Sequence, residues 1–365
     1  MRKPVAEGRP VVVKVGSSSI TAPSGGLDEE AVRRVVRQIV DLANSGHPPV
    51  LVTSGSIAAG LPTLGLSERP TDVAGLQVAA AIGQTKLVQS YAGHFADSGL
   101  SVAQVLLTKD VLGNRSQYLN ARAALERMLS LGVIPVVNEN DTVVVDELKL
   151  GDNDRLAALT AHLVGAGMLV ILTDTEGLFS EDPSTMPDAK LLSAVEHSDS
   201  VLDRIERTTA TGTFGSGGVT TKIAAARMAA FSGIPTVIVD AGMPDLVAEA
   251  VAGNTVGTWI GPRRQPLPAR KLWIAFGVAA RGEITIDAGA VGAIRGGGGS
   301  LLAVGVSKVE GDFVAGDAVE VFGAGHILVA KGITRLSADV LREAAGSHSD
   351  VIGGEVIHRD DLVVL

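Results

Sequence analysis

Short runs of apolar, mostly β-branched residues recur along the first two-thirds of the chain: Val11–Val15, Val50–Thr53, Val102–Leu107, Val133–Val137, Met168–Thr173, Thr236–Val239 and Gly257–Ile260. Runs this short, bounded by turn-forming residues, predict buried strands. Between them the period changes. From Leu27 to Ser45, apolar positions at Ala31, Val32, Val35, Val36, Ile39, Val40 and Leu42 repeat at helical spacing, and Gly46 ends the pattern. Further helices are predicted over Asp72–His94, which is rich in alanine, Ser116–Ser130, Ile223–Ser232 and Leu246–Ala252, with another opening at Gly151–Asp154, where Asp152 or Asn153 could cap it. Strand alternating with helix is the signature of an α/β fold, here a doubly wound, mostly parallel sheet.

The texture changes after Gly261. Pro262, Pro266 and Pro268 punctuate a polar run that reads as a linker over 262–271, closing a first domain at 1–261. Beyond it, strands are expected at Glu283–Asp287, Leu301–Val309, Ala318–Phe322, His326–Arg335 and Glu355–Leu365, with helices near Ala288 and Ala338. Residues 272–365 thus form a small β-rich second domain.

Composition narrows the function classes. With 365 residues and 46% hydrophobic content the chain can bury a large core. No apolar run approaches the roughly 18 residues of a membrane span, and Val11–Val15, interrupted by Lys14, is no signal core. Cysteine is absent, which excludes disulfides and thiolate metal sites. The expectation is a cytoplasmic protein. A net charge of −9 argues against a general nucleic-acid partner.

The candidate chemistry gathers where predicted strands end. Asn138, Glu139, Asn140 and Asp141 follow Val133–Val137, and after an arm carrying Val143, Val145 and Leu148 comes Gly151-Asp152-Asn153-Asp154. In open α/β sheets ligands bind beyond the carboxyl ends of the strands, so two such clusters could offer amides and carboxylates to one small polar ligand. Lys14 interrupts an apolar run, where it is either an edge residue reaching water or a cation beside an anionic ligand, with the Gly16–Ser19 amides nearby. Ser54-Gly-Ser-Ile-Ala-Ala-Gly60 turns from strand toward helix, a form that suits an ordinary tight loop or an anion site. Arg207–Gly218 reads as a loop, and Gly215–Lys222 as a glycine-rich phosphate cradle with a cation at its end, though it is not a Walker A sequence. No histidine shows metal-ligand spacing, so no protein metal site is expected.

Val13-Lys14-Val-Gly-Ser, Val52-Thr-Ser-Gly-Ser-Ile-Ala-Ala-Gly60, Asn138-Glu-Asn-Asp141, Gly151-Asp-Asn-Asp154, Leu172-Thr-Asp174 and Gly217-Gly-Val-Thr-Thr-Lys222 together resemble the glutamate 5-kinase branch of the amino acid kinase family. The resemblance spans nearly the whole chain in order, and the carboxyl-terminal part is similar to a PUA domain. It implies ATP as phosphoryl donor with Mg²⁺, L-glutamate as acceptor, γ-glutamyl phosphate for proline synthesis as product, feedback inhibition by proline, and a homo-oligomer. It further implies that Lys14, Thr173, Asp174 and the segment Ser216, Gly217, Gly218, Val219, Thr220, Thr221 and Lys222 contact ATP. Ser54, Asp141 and Asn153 would bind glutamate, and Asp154 would hold Lys14 and Lys222 in position for catalysis.

Rival readings are a family member that phosphorylates N-acetylglutamate or a nucleoside monophosphate, and an RNA-binding protein acting through the second domain. From Lys271 onward there are 8 Lys and Arg against 12 Asp and Glu, a net of −4, with few aromatics. That is a poor footprint for RNA.

Overall fold

Side chains alternate along a strand, so Val11, Val13 and Val15 of β1 (Val11–Val15) point to one face of the sheet and Val12 and Lys14 to the other. The first face is the core of the amino-terminal unit. There the three valines pack against Val32, Val35 and Ile39 of α1 (Glu29–Asn44) and Leu87, Tyr91 and Phe95 of α3 (Val73–Ala96). Asp28 caps α1 by accepting from Glu30 N and Ala31 N, each at 3.0 Å. The opposite face, which carries Lys14, is covered by α5 (Asp152–Leu163).

The computed structural model describes residues 2–22, 25–108, 111, 114–143, 152–183, 185–210, 217–296, 298–346 and 354–365. These fall into two compact units, Met1–Lys109 with Ser116–Pro266 and Asp110–Arg115 with Leu267–Leu365. The first unit adds β2 (Pro49–Thr53), α2 (Ser56–Gly60), β3 (Val102–Leu107), α4 (Arg115–Ser130), β4 (Ile134–Glu139), β5 (Met168–Thr173), β6 (Ala194–Glu196), α6 (Ser200–Ala210), α7 (Gly217–Phe231), β7 (Thr236–Asp240), α8 (Leu246–Val251) and β8 (Thr258–Gly261). Its eight-stranded sheet has the order β3-β4-β2-β1-β5-β7-β8-β6. The strands pair in parallel except where β7 meets β8. The chain moves from β1 to β2 on one side and later returns to β5 on the other, so β1 lies at the reversal of strand order, where α/β sheets open a crevice. Lys14 sits in this central strand, level with Val52 of β2 and Ile171 of β5.

Several boundaries differ from the sequence reading, each for a physical reason. β4 continues past Val137 through Asn138 and Glu139, both buried, because the Asn138 side chain finds partners inside the fold, giving Nδ2 to Gln84 and accepting from Glu139 N. α5 starts at Asp152, which puts Asn153 inside the helix instead of at its cap. The expected loop from Arg207 is wrong at its start. α6 runs to Ala210, its Val201 N held 2.9 Å from Asp199 Oδ1 and its Leu202 and Ile205 buried. α7 begins at Gly217, so Gly217 and Gly218 form its first turn, ahead of the expected start at Ile223. Val145, Leu148, Gly151 and Ser216 lie outside the described residues.

The second unit opens with α9 (Ala269–Leu272) and a π-helical turn, Trp273–Gly277, so the end of the expected linker is helical. β9 (Gly282–Ile286), α10 (Ala288–Arg295), β10 (Val306–Gly311), β11 (Ala318–Gly323), β12 (Ile327–Ile333), α11 (Ala338–Ala344) and β13 (Leu362–Val364) follow. The five strands form one sheet in the order β10-β9-β11-β12-β13, mixed in direction. Of the expected strand Leu301–Val309, the first part is only a bridge from Leu301 to Ile357 and a 3₁₀ turn at Ala303–Gly305. Glu355–Leu365 likewise reduces to that bridge and β13.

Candidate active site

Lys14 and Asp154 meet across the covered face of β1. Lys14 Nζ stands 2.6 Å from Asp154 Oδ1, with side chains 5% and 1% exposed, so the lysine is an interior cation with its own counter-ion and no edge residue. The other carboxylate oxygen, Oδ2, accepts a hydrogen bond of 2.7 Å from Thr221 Oγ1 on α7. One aspartate at the start of α5 thus ties the central strand to the first turns of α7.

Lys222 is the neighbour of Thr221, and its Nζ donates to Gly218 O at 3.0 Å. A Cβ on Gly218 would lie 3.3 Å from that ammonium, so the glycine leaves the space Lys222 occupies. Burial lowers the Lys222 pKa from the ordinary lysine value, Asp154 opposes this, Lys14 adds to it and Asp174 opposes it. Both lysines therefore lie in one electrostatic field, although Asp154 bonds directly to Lys14 and Thr221. An anion arriving between them would relieve the desolvation of Lys222.

On the adjoining strand ends, Asn153 Nδ2 donates to Ser54 Oγ at 2.9 Å and to Asn138 Oδ1 at 3.1 Å. Ser56 Oγ donates to Asp141 Oδ2 at 3.1 Å. Ser54, Asp141 and Asn153, spread over 99 positions of sequence at their widest, are thus linked to the ends of β2, β4 and α5. Two glycines bring α2 and α3 close enough to seat this cluster. A Cβ on Gly83 would fall 1.7 Å from Ser56 O, and one on Gly60 would fall 2.0 Å from Ala79 O, so no larger residue fits either position. Behind Ser54, Thr53 Oγ1 and the buried Tyr91 hydroxyl lie 2.9 Å apart.

At the end of β5, Thr173 Oγ1 donates to Asp174 Oδ1 at 3.1 Å. Val219 and Thr220 are half-buried in the first turns of α7. No cluster of three or more potential metal-ligating side chains occurs among the described residues. Sequence reasoning missed Gln84, which accepts from Asn138 Nδ2 at 2.7 Å. Its signal was a polar residue inside the buried stripe Leu76, Ala80, Leu87 and Tyr91 of α3.

Residues 9–240 match the amino acid kinase family and residues 282–353 the PUA domain. Among curated relatives, glutamate 5-kinase of Marinomonas sp. (strain MWYL1) is 45% identical, with all of both chains covered. Glutamate 5-kinase of Pseudomonas putida (strain W619) is 44% identical, again over all of both chains. That of Nitrosococcus oceani is 44% identical over 97% of this chain and 96% of its own. Among solved structures, UMP kinase from Bacillus anthracis is 15% identical at a TM-score of 0.49, covering 70% of this chain and 97% of that one.

Proposed function

The chain belongs to the amino acid kinase family, and from that premise we propose that it transfers the γ-phosphoryl group of ATP to the γ-carboxylate of L-glutamate. The product is γ-glutamyl phosphate, and the step opens proline biosynthesis. The observation that carries the reading is the buried 2.6 Å pair of Lys14 and Asp154 at the sheet's crevice, with Lys222 in the same field.

A free side-chain carboxylate with a pKa of about 4.3 is ionised at neutral pH, so the acceptor needs no general base. The demand on the protein is in-line alignment and positive charge around the transferring group. Lys14 on β1, fixed by Asp154, and Lys222, at the glycine-rich start of α7, supply that charge. Thr173, Asp174 and 216–222 hold the nucleotide. Ser54, Asp141 and Asn153 hold glutamate, Asp141 and Asn153 taking its ammonium. Mg²⁺ neutralises phosphate charge when bound. Among the described residues no cluster of three or more metal-ligating side chains occurs, so Mg²⁺ would be held with few protein ligands, and Asp174, whose charge reaches Lys222, would be the protein's contribution. Every group named here belongs to the amino-terminal unit.

The rival acceptors are separated by one assay. With ATP, ADP release should be rapid with glutamate, slow with N-acetylglutamate and absent with UMP, and hydroxylamine should trap the glutamate product as a hydroxamate. Preferred turnover of N-acetylglutamate or UMP would overturn the assignment.

A further inference from the structure

Gln84 lies on α3, 8% exposed, and its Oε1 meets Asn138, itself 1% exposed. The direction of the hydrogen bonds running from it is fixed by a backbone group. Glu139 N–H can only donate, and it donates to Asn138 Oδ1 at 2.9 Å. Asn138 must therefore turn its Nδ2 toward Gln84 Oε1, 2.7 Å away. Asn153 meets the same Oδ1 and must present Nδ2 to it, at 3.1 Å, while giving its second N–H to Ser54 Oγ at 2.9 Å. Both donor hydrogens of Asn153 are then used inside the protein. What remains is Asn153 Oδ1, buried and without a hydrogen-bond partner among the described residues. A lone buried acceptor is costly unless a donor arrives.

We infer that Gln84 is a positioning residue which, through Asn138, locks Asn153 with its Oδ1 toward the substrate and so makes the site selective for acids bearing a free ammonium group. The inference rests on the proposal that this site takes glutamate. Without the Gln84 acceptor, the buried Asn138 Nδ2 loses its partner; Glu139 N–H still sets the sense of the Asn138 amide, but the side chain is held from one side only and its Oδ1 can shift away from Asn153. Asn153 is then free to turn, and in the turned state it offers N–H groups to a cation. The open group at the Asn153 end of the relay is an acceptor, which suits an ammonium; at its far end Gln84 Nε2 is a buried donor, also without a hydrogen-bond partner among the described residues.

The test compares glutamate with glutarate, the same diacid without the amine, in the full-length protein. For Gln84→Met, which keeps side-chain length, glutamate KM should rise about tenfold, the worth of one well-placed hydrogen bond. ATP KM and kcat should stay within about threefold, and the preference for glutamate over glutarate in kcat/KM should fall about tenfold. Gln84→Glu keeps an oxygen facing Asn138 and should restore most of the affinity. If Gln84→Met does not fold, Gln84→Ala carries the same expectation. Equal losses for glutamate and glutarate, or an unchanged glutamate KM, would overturn the role of Gln84. A wild-type protein that turns over no glutamate would instead remove the functional reading beneath it.

Discussion

Lys14 Nζ and Asp154 Oδ1, 2.6 Å apart and almost wholly buried, join the central strand to α5. A buried ion pair of this kind is worth little against apolar packing, but removing one partner strands the other. Asp154→Asn should therefore lower unfolding free energy by roughly 3 kcal/mol, because Lys14 then faces a neutral amide in a desolvated place. Urea unfolding reads this as a lower midpoint at unchanged slope. A loss below about 1 kcal/mol would mean that Lys14 reaches water once its partner is gone.

The second lysine predicts a pH dependence. Burial, with Lys14 adding to it, sets the folded pKa of Lys222 below the ordinary value of 10.5. Between the folded and unfolded values the unfolded chain binds more protons, so this group contributes stability that rises with pH across that window. At neutral pH, below it, the buried charge is a full penalty. Lys222→Met should accordingly stabilise the ligand-free protein at pH 7, and the gain should shrink as pH climbs toward 10.5. Denaturation curves at several pH values check it. A gain that does not vary with pH would belong to the added apolar surface instead.

Much of the frame was legible in the sequence because its signals are local. The runs at β1, β2, β4 and β5 are apolar at nearly every position, as strands buried on both faces must be. Lys14 stood out there, but the sequence could not say that Asp154, 140 positions on, lies against it. The start of α7 was hidden by its own glycines, which favour loops by propensity and form a helical first turn here through tertiary context. β4 was cut short at Val137 since Asn138 and Glu139 look like turn residues. The relay from Glu139 N through Asn138 to Gln84 shows how the Asn138 amide stays in a buried strand. Gln84 itself differs from the alanines around it by one amide, and its role appears only when β4 and α3 are brought together.

Proline shares glutamate's α-carboxylate and a charged amine, and it lacks the carboxylate that accepts phosphate. If it inhibits by occupying the amino-acid end of the site, Asp141, held by Ser56 Oγ at 3.1 Å, serves both ligands. Asp141→Asn removes a charged acceptor worth about 1.5–3 kcal/mol, so glutamate KM and the proline inhibition constant should both rise roughly tenfold or more. Steady-state inhibition by proline at several glutamate concentrations distinguishes this from a separate site. Inhibition that glutamate cannot overcome, unchanged in the variant, would exclude a shared pocket.

The most direct test is the turnover of Lys14→Ala at saturating ATP and glutamate. Loss of one cation that stabilises the transferring phosphoryl group should lower kcat by about 10²–10³-fold, with glutamate KM within about threefold of the wild type. Turnover kept within a few-fold, alongside a large rise in glutamate KM, would make Lys14 a substrate-binding residue and contradict its place in phosphoryl transfer.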